Sequence, residues 1–165
     1  MVTKLLDYNK KELIEIVSAY KQEKFRAEQL FTALHNGKDF DDKINLPKSF
    51  LNTLKENEIV LQPAKITKEK QSKSDNTTKY LFELFDGNLV EGVLIEYKFG
   101  NTMCISTQVG CKMNCYFCAS GMDGFVRNLS VGEMLGQVIA VNKLLGGTVK
   151  KRKITNIVLM GSGEP

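Results

Sequence analysis

Three cysteines stand at Cys111, Cys115 and Cys118 in the stretch CKMNCYFC, a fourth lies seven residues earlier at Cys104, and the rest of the 165-residue chain carries none. Thiols at C-x3-C-x2-C spacing in one short loop can converge on a single centre. Four chemistries compete for them. A disulfide pair needs an oxidising compartment. Inert core thiols have no need of a loop punctuated by glycines. Structural zinc takes four ligands in a closed tetrahedron, and its fourth here is Cys104 or His35, the only histidine. An iron–sulfur cluster uses thiolates as its ligands; four saturate a [4Fe–4S] cube, and three leave one iron open to a substrate. Phe117, just before the third cysteine, stands where an aromatic ring can shield such a centre.

Positioning these thiols falls to the elements around them. Leu13, Ile16, Val17 and Tyr20 recur at helical spacing, as do Ala27, Leu30, Phe31 and Leu34, and Asn36-Gly37 offers a left-handed stop. Phe50, Leu51 and Leu54 mark a third short helix. The lysine-rich stretch from Lys65 to Lys79 has no period and reads as a connecting loop or a weak strand. The runs KYLFELF, LVEGVLIEY and MCIST then predict a three-strand meander, with Cys104 in its last strand. Ser130 and Glu133 form a capping-box pair before MLGQVIAVNKLL, which stops at Gly146-Gly147. ITNIVLMG reads as a fully buried parallel strand. Strand, loop, helix and strand make a βαβ unit, so the fold class is α/β, or α+β overall. We expect a helical unit with connecting strands over 1–96 and the start of a second domain over 97–165.

Bulk properties narrow the class. Hydrophobic residues make up 42% and charged residues 25%, ordinary for a folded protein. The apolar runs IVLM and VIAV fall far short of the roughly 20 residues of a membrane span, and the amino terminus does not read as a signal peptide. A cytoplasmic setting is the expectation, and it favours metal or catalytic roles for clustered thiols. The net charge of +4 is mildly basic, with lysines concentrated at Lys65, Lys68, Lys70, Lys73 and Lys79 and again at Lys150–Lys153. Such patches suit a polyanion and equally suit a solvated loop.

C-x3-C-x2-C with an aromatic before the last cysteine resembles the radical S-adenosylmethionine (SAM) enzymes. CISTQVGCKMNCYFCASGMDGFVRNLSVGEMLGQV with NIVLMGSGEP closely resembles their ribosomal RNA large-subunit methyltransferase N family, and the resemblance spans the chain. It implies a helical RNA-binding accessory region leading through the meander into the first part of a partial (β/α) radical SAM barrel. It also implies methylation of carbon 2 of an adenine in 23S ribosomal RNA and in certain transfer RNAs. The implied cofactors are a [4Fe–4S] cluster on Cys111, Cys115 and Cys118, and SAM held by Gly163 and Glu164. Cys104 and Glu91 would be catalytic, Glu91 as proton acceptor and Cys104 in releasing product. The family works through a methylated cysteine near its carboxy terminus, with an electron donor, no membrane, and as a monomer.

The sequence departs from that pattern in places. Ser162 stands where the family has methionine, and Ser120 where threonine is common. No counterpart of the methyl-accepting cysteine is present, so these 165 residues alone are expected to transfer no methyl group. Two other readings stay open: the sister class that methylates adenine carbon 8, and a zinc-stabilised RNA-binding module.

Overall fold

Local chemistry sets the helix boundaries. The computed structural model describes residues 2–113, 115–122 and 124–164. Helix α1 (Lys10–Ala19) opens on a reciprocal cap: the Asn9 side chain accepts from the Lys11 and Glu12 N–H groups, and Glu12 accepts from the Asn9 N–H. Helix α2 (Phe25–His35) ends at the expected left-handed glycine, Gly37, with φ of 69°. Helix α3 (Lys48–Glu56) follows Pro47. Their apolar faces bury Leu13, Val17, Leu30, Leu34, Phe50 and Leu54 together with Leu5 and Leu6 from a single 3-10 turn, Leu5–Asp7. Cutting one of these buried leucines back to alanine costs about 2–5 kcal/mol, because the cavity left behind only partly collapses.

Strands β1 (Ala64–Gln71), β2 (Thr77–Leu84), β3 (Leu89–Tyr97) and β4 (Gly100–Cys104) run antiparallel in chain order. Part of the lysine-rich stretch is therefore a strand, and the meander has four members rather than three. A short hairpin, β5 (Gln108–Gly110) with β6 (Phe125–Asn128), brackets the cysteine loop. Helix α4 (Val131–Leu144) then crosses over to β7 (Ile154–Val158), which pairs parallel to β4. Its capping box is formed as the sequence predicts: Ser130 Oγ accepts from the Glu133 N–H and Glu133 accepts from the Ser130 N–H.

The reading of ITNIVLMG as fully buried is overturned. Only Ile154 of β7 is buried; Ile157 and Leu159 are each 49% exposed and Met160 is 79% exposed. Among the described residues β7 pairs with β4 alone, so no described strand covers its outward residues.

One face of the sheet buries Tyr80, Phe82, Val90, Leu94 and Met103 against α4. That helix serves two cores. Ile139 packs with the amino-terminal helices, while Val141 packs with the sheet. Polar ties reinforce the junction: Asp7 Oδ1 accepts from the Gly132 N–H at 2.7 Å, and Lys143 Nζ donates to the Gly37 carbonyl at 2.9 Å. Among the described residues no helix is long and apolar enough to cross a membrane.

Candidate functional site

Register places the catalytic candidates. Lys70, Lys79, Val93, Cys104 and Val158 are successive cross-strand partners, so they form one row across all five strands. Cross-strand partners share a face, and this face is opposite the one packed on α4. Glu91 lies two residues from Val93 on the same strand, and so on the same face. Glu91 and Cys104 are thus diagonal neighbours, about 7–8 Å apart by ordinary sheet geometry. The Glu91 carboxylate is half-exposed and lies 2.7 Å from Lys79 Nζ. Cys104 is partly buried, and desolvation pushes its thiol above the ordinary value despite a backbone hydrogen bond from Met160.

Beyond Cys104 the chain is tied down on three sides. Gln137 of α4 accepts the Ser106 N–H and donates to the Ser106 carbonyl, each at 3.0 Å. Ser106 Oγ donates to the Glu91 carbonyl at 2.6 Å, and the Ser162 N–H donates to Ser106 Oγ at 2.8 Å. The Thr107 and Gln108 N–H groups both donate to the Ser162 carbonyl. Residues 161–164 therefore lie against residues 105–108 at the carboxyl end of β4. Gly163 has a φ of 102°, and a Cβ there would come within 2.6 Å of the Gln108 side chain and 2.7 Å of Thr107 Oγ1. Only glycine fits this approach. Glu164 is exposed, and its carbonyl accepts from Gln108 Nε2 at 3.1 Å.

The cysteine loop is pinned at its base. The Cys111 N–H donates to the Gly124 carbonyl at 3.2 Å, and the Cys118 N–H to the Cys115 carbonyl at 3.0 Å. A Cβ on Gly110 would collide with the Gly124 carbonyl, and its φ of 72° is glycine's own. Phe117 is 91% exposed, so in this arrangement it covers nothing. Cys111, Cys115 and Cys118 are free thiols. Among the described residues no three His, Cys, Asp or Glu side chains stand in a metal-holding arrangement.

Two tests bear on the cofactors implied by the sequence. Three free thiols on one loop, closed by a hairpin, are the donor chemistry of an iron–sulfur cluster. Beside Gly163, Thr107 Oγ1 and Gln108 Oε1 are buried without a hydrogen-bond partner. Such orphans each cost about 1–3 kcal/mol, and a polar ligand lying against Gly163 would relieve them. Both observations fit.

Sequence reasoning passed over Ser106, Gln108, Gln137 and Arg127. Arg127 on β6 grips the fully buried Glu133 carboxylate with two hydrogen bonds of 2.8 Å each, and Asp86 Oδ2 with another of 2.8 Å. Burial raises the Asp86 carboxyl, but hydrogen bonds from Asn88 and Arg127 outweigh it and hold the group below the ordinary range. The cysteine loop is thereby anchored to the start of α4 and to the β2–β3 turn. The one available signal was polar residues, Ser106 and Gln108, inside the otherwise strand-like CISTQVG.

Comparison with known proteins adds lineage. No family model matches the chain. A protein of Clostridium botulinum strain Hall named "Probable dual-specificity RNA methyltransferase RlmN" is 45% identical over 163 residues, covering 98% of this chain and 46% of the relative. One of the same name from Clostridium acetobutylicum is 45% identical over 162 residues, covering 98% and 45%. The crystal structure of a radical SAM methyltransferase from Sphaerobacter thermophilus superposes with a TM-score of 0.87 at 38% identity, covering 99% of this chain and 48% of that one. The chain spans about half the length of the curated relatives it matches.

Proposed function

We propose that this chain belongs, over the length it spans, to the RlmN family of radical SAM methyltransferases that its relatives and structural neighbour represent, and that it is the amino-terminal part of an enzyme that methylates carbon 2 of an adenine in 23S ribosomal RNA and transfer RNA. The observation that carries the reading is one of placement. Glu91 and Cys104 share a sheet face, the chain runs from the carboxyl end of β4 toward the thiol loop, and residues 161–164 follow the neighbouring parallel strand β7. That end of a parallel strand is where α/β barrels gather their chemistry.

Cys111, Cys115 and Cys118 would hold the cluster, and Gly163 and Glu164 would hold SAM, with the Glu164 carboxylate facing its amino group. When bound, the two supply a radical able to functionalise a carbon that polar chemistry cannot alkylate. The remaining roles belong to this chain. Thr107 Oγ1 and Gln108 Oε1 offer buried polar atoms beside the glycine turn. The Glu91 carboxylate is an acceptor for the proton leaving the base. Cys104, its thiol raised by burial, would pair with the family's methyl-carrying cysteine, the bond from that cysteine's sulfur to the transferred carbon breaking as the sulfur–sulfur bond forms and product leaves.

The experiment uses the full-length gene product, purified and reconstituted without oxygen. Iron and acid-labile sulfide near four of each per chain are expected, falling to background in Cys111→Ala. Mass spectrometry of adenosines from treated ribosomal RNA should place the new methyl on carbon 2. Stoichiometric zinc without iron would favour an RNA-binding module, and methyl on carbon 8 would move the enzyme to the sister class.

A further inference from the structure

The sheet face that carries Cys104 is also basic at its outer corner. Lys70 and Lys79 are directly opposite one another, and Lys68 is opposite Leu81 in the next row, beside Glu91. Like charges placed directly opposite destabilise a strand pair, so stability gives no reason for this arrangement. A β-bulge between Ile66 and Lys68 creates it. Ile66 is opposite the buried Phe82, on the core face. Strict alternation from Ile66 would turn Lys68 and Lys70 to that same face. The extra residue, Thr67, whose hydroxyl donates to the Leu81 carbonyl at 3.2 Å, turns both to the face of Glu91 and Cys104 instead. Bulges commonly re-aim side chains beside active sites.

We infer that Lys68, Lys70 and Lys79 form a phosphate track that seats the RNA backbone flanking the base presented to Cys104. With strands about 4.8 Å apart, the Lys79 and Lys70 Cα atoms lie about 10 and 14 Å from that of Cys104. A nucleotide turned out of its stack toward Cys104 leaves its flanking phosphates to one side of the base. Lys68, Lys70 and Lys79 line one depression there together with the carboxylates Glu69 and Glu91. Lys68 and Lys70 make no ion pair among the described residues, while Lys79 is shared with Glu91. An RNA phosphate arriving at Lys79 competes with that carboxylate and leaves Glu91 free to accept a proton. Tyr97 and Phe99, stacked with ring centroids 4.9 Å apart at the β3–β4 turn, add an exposed aromatic platform of the kind bases stack on. That platform favours RNA over an acidic peptide as the occupant.

The inference rests on the RNA-methylation reading, so its test keeps the two apart. Binding of a fluorescent RNA stem-loop with an unpaired adenine to the full-length protein is measured across a salt series. Lys68→Gln/Lys70→Gln is expected to reduce the slope of log affinity against log salt by about 1.4, two contacts at about 0.7 each. Lys150→Gln/Lys151→Gln should leave it unchanged. An unchanged slope in the first variant overturns the track, as does an equal loss in both. So does a polyglutamate peptide that binds through Lys68 and Lys70 more tightly than the RNA. Methyl transfer at saturating RNA is followed on the same samples. A methylating protein with an unchanged slope refutes the track and spares the reading; a reduced slope without methyl transfer does the reverse.

Discussion

Glu91 Oε2 lies 2.7 Å from Lys79 Nζ across the β2–β3 pair, with both side chains about half exposed, at 52% and 51%. An ion pair this open to water contributes about 0–1 kcal/mol, so its value is not structural. Lys79→Gln should leave the unfolding midpoint almost unmoved. Glu91→Gln, which removes the proposed proton acceptor, should lower methyl transfer by at least about a hundredfold. Transfer of labelled methyl from SAM to RNA checks both, and an active Glu91→Gln enzyme would remove Glu91 from the reaction.

The Arg127 fork gives a contrasting case. Its partner Glu133 is fully buried, and removing one member of such a pair strands a charge. Arg127→Ala should cost about 3 kcal/mol, the low end of that effect, because the Ser130 N–H and Lys4 still face the carboxylate. Urea unfolding reads this directly, and a change near zero would mean the fork carries no load.

Acid should loosen the same latch. The Asp86 carboxyl is held below its ordinary value, so the folded state binds its proton less readily than the unfolded chain does. Its stabilisation is fully present above the unfolded value of about 4 and is lost as pH falls through the lower folded one. Asp86→Asn should flatten the acid limb of a stability–pH curve, measured by thermal melts between pH 6 and the acid limit.

Cys104 should be slow to alkylate. Burial raises its thiol, and the thiolate is the reacting species. Its modification by iodoacetamide, followed by peptide mass spectrometry, should rise with pH along a curve displaced upward from that of a free model thiol. Coincidence of the two curves would contradict the burial argument.

Gly163 is a backbone position that tolerates no side chain. An alanine there must adopt a φ of 102° and push its Cβ into Gln108 and Thr107. Backbone strain of about 1–3 kcal/mol follows, and SAM affinity, measured by equilibrium dialysis, should fall at least tenfold.

The helices, their caps and the crossover to β7 were readable because each rests on local chemistry: Ser130 with Glu133, Gly37 past α2, and apolar residues at helical spacing. Pairing was not. β5 and β6 are three and four residues long, too short for a period to show. β1 carries an alternation interrupted by its bulge, so the lysine stretch read as either a connecting loop or a weak strand, and the structure shows the strand. ITNIVLMG announced its hydrophobicity correctly, but burial depends on neighbours that a single segment does not encode. At the site, cysteine spacing was informative on its own. The Arg127–Glu133–Asp86 fork joins residues brought together only by folding.

Helix α4 has a consequence for how force and information pass through the molecule. Anchored by Ile139 on one flank and Val141 on the other, and tied by Gly132 to Asp7 and by Lys143 to Gly37, it rivets the amino-terminal bundle to the sheet. The bundle is no swinging arm. A load on the bundle's surface therefore bears on the same rod whose first turn Arg127 clasps through Glu133.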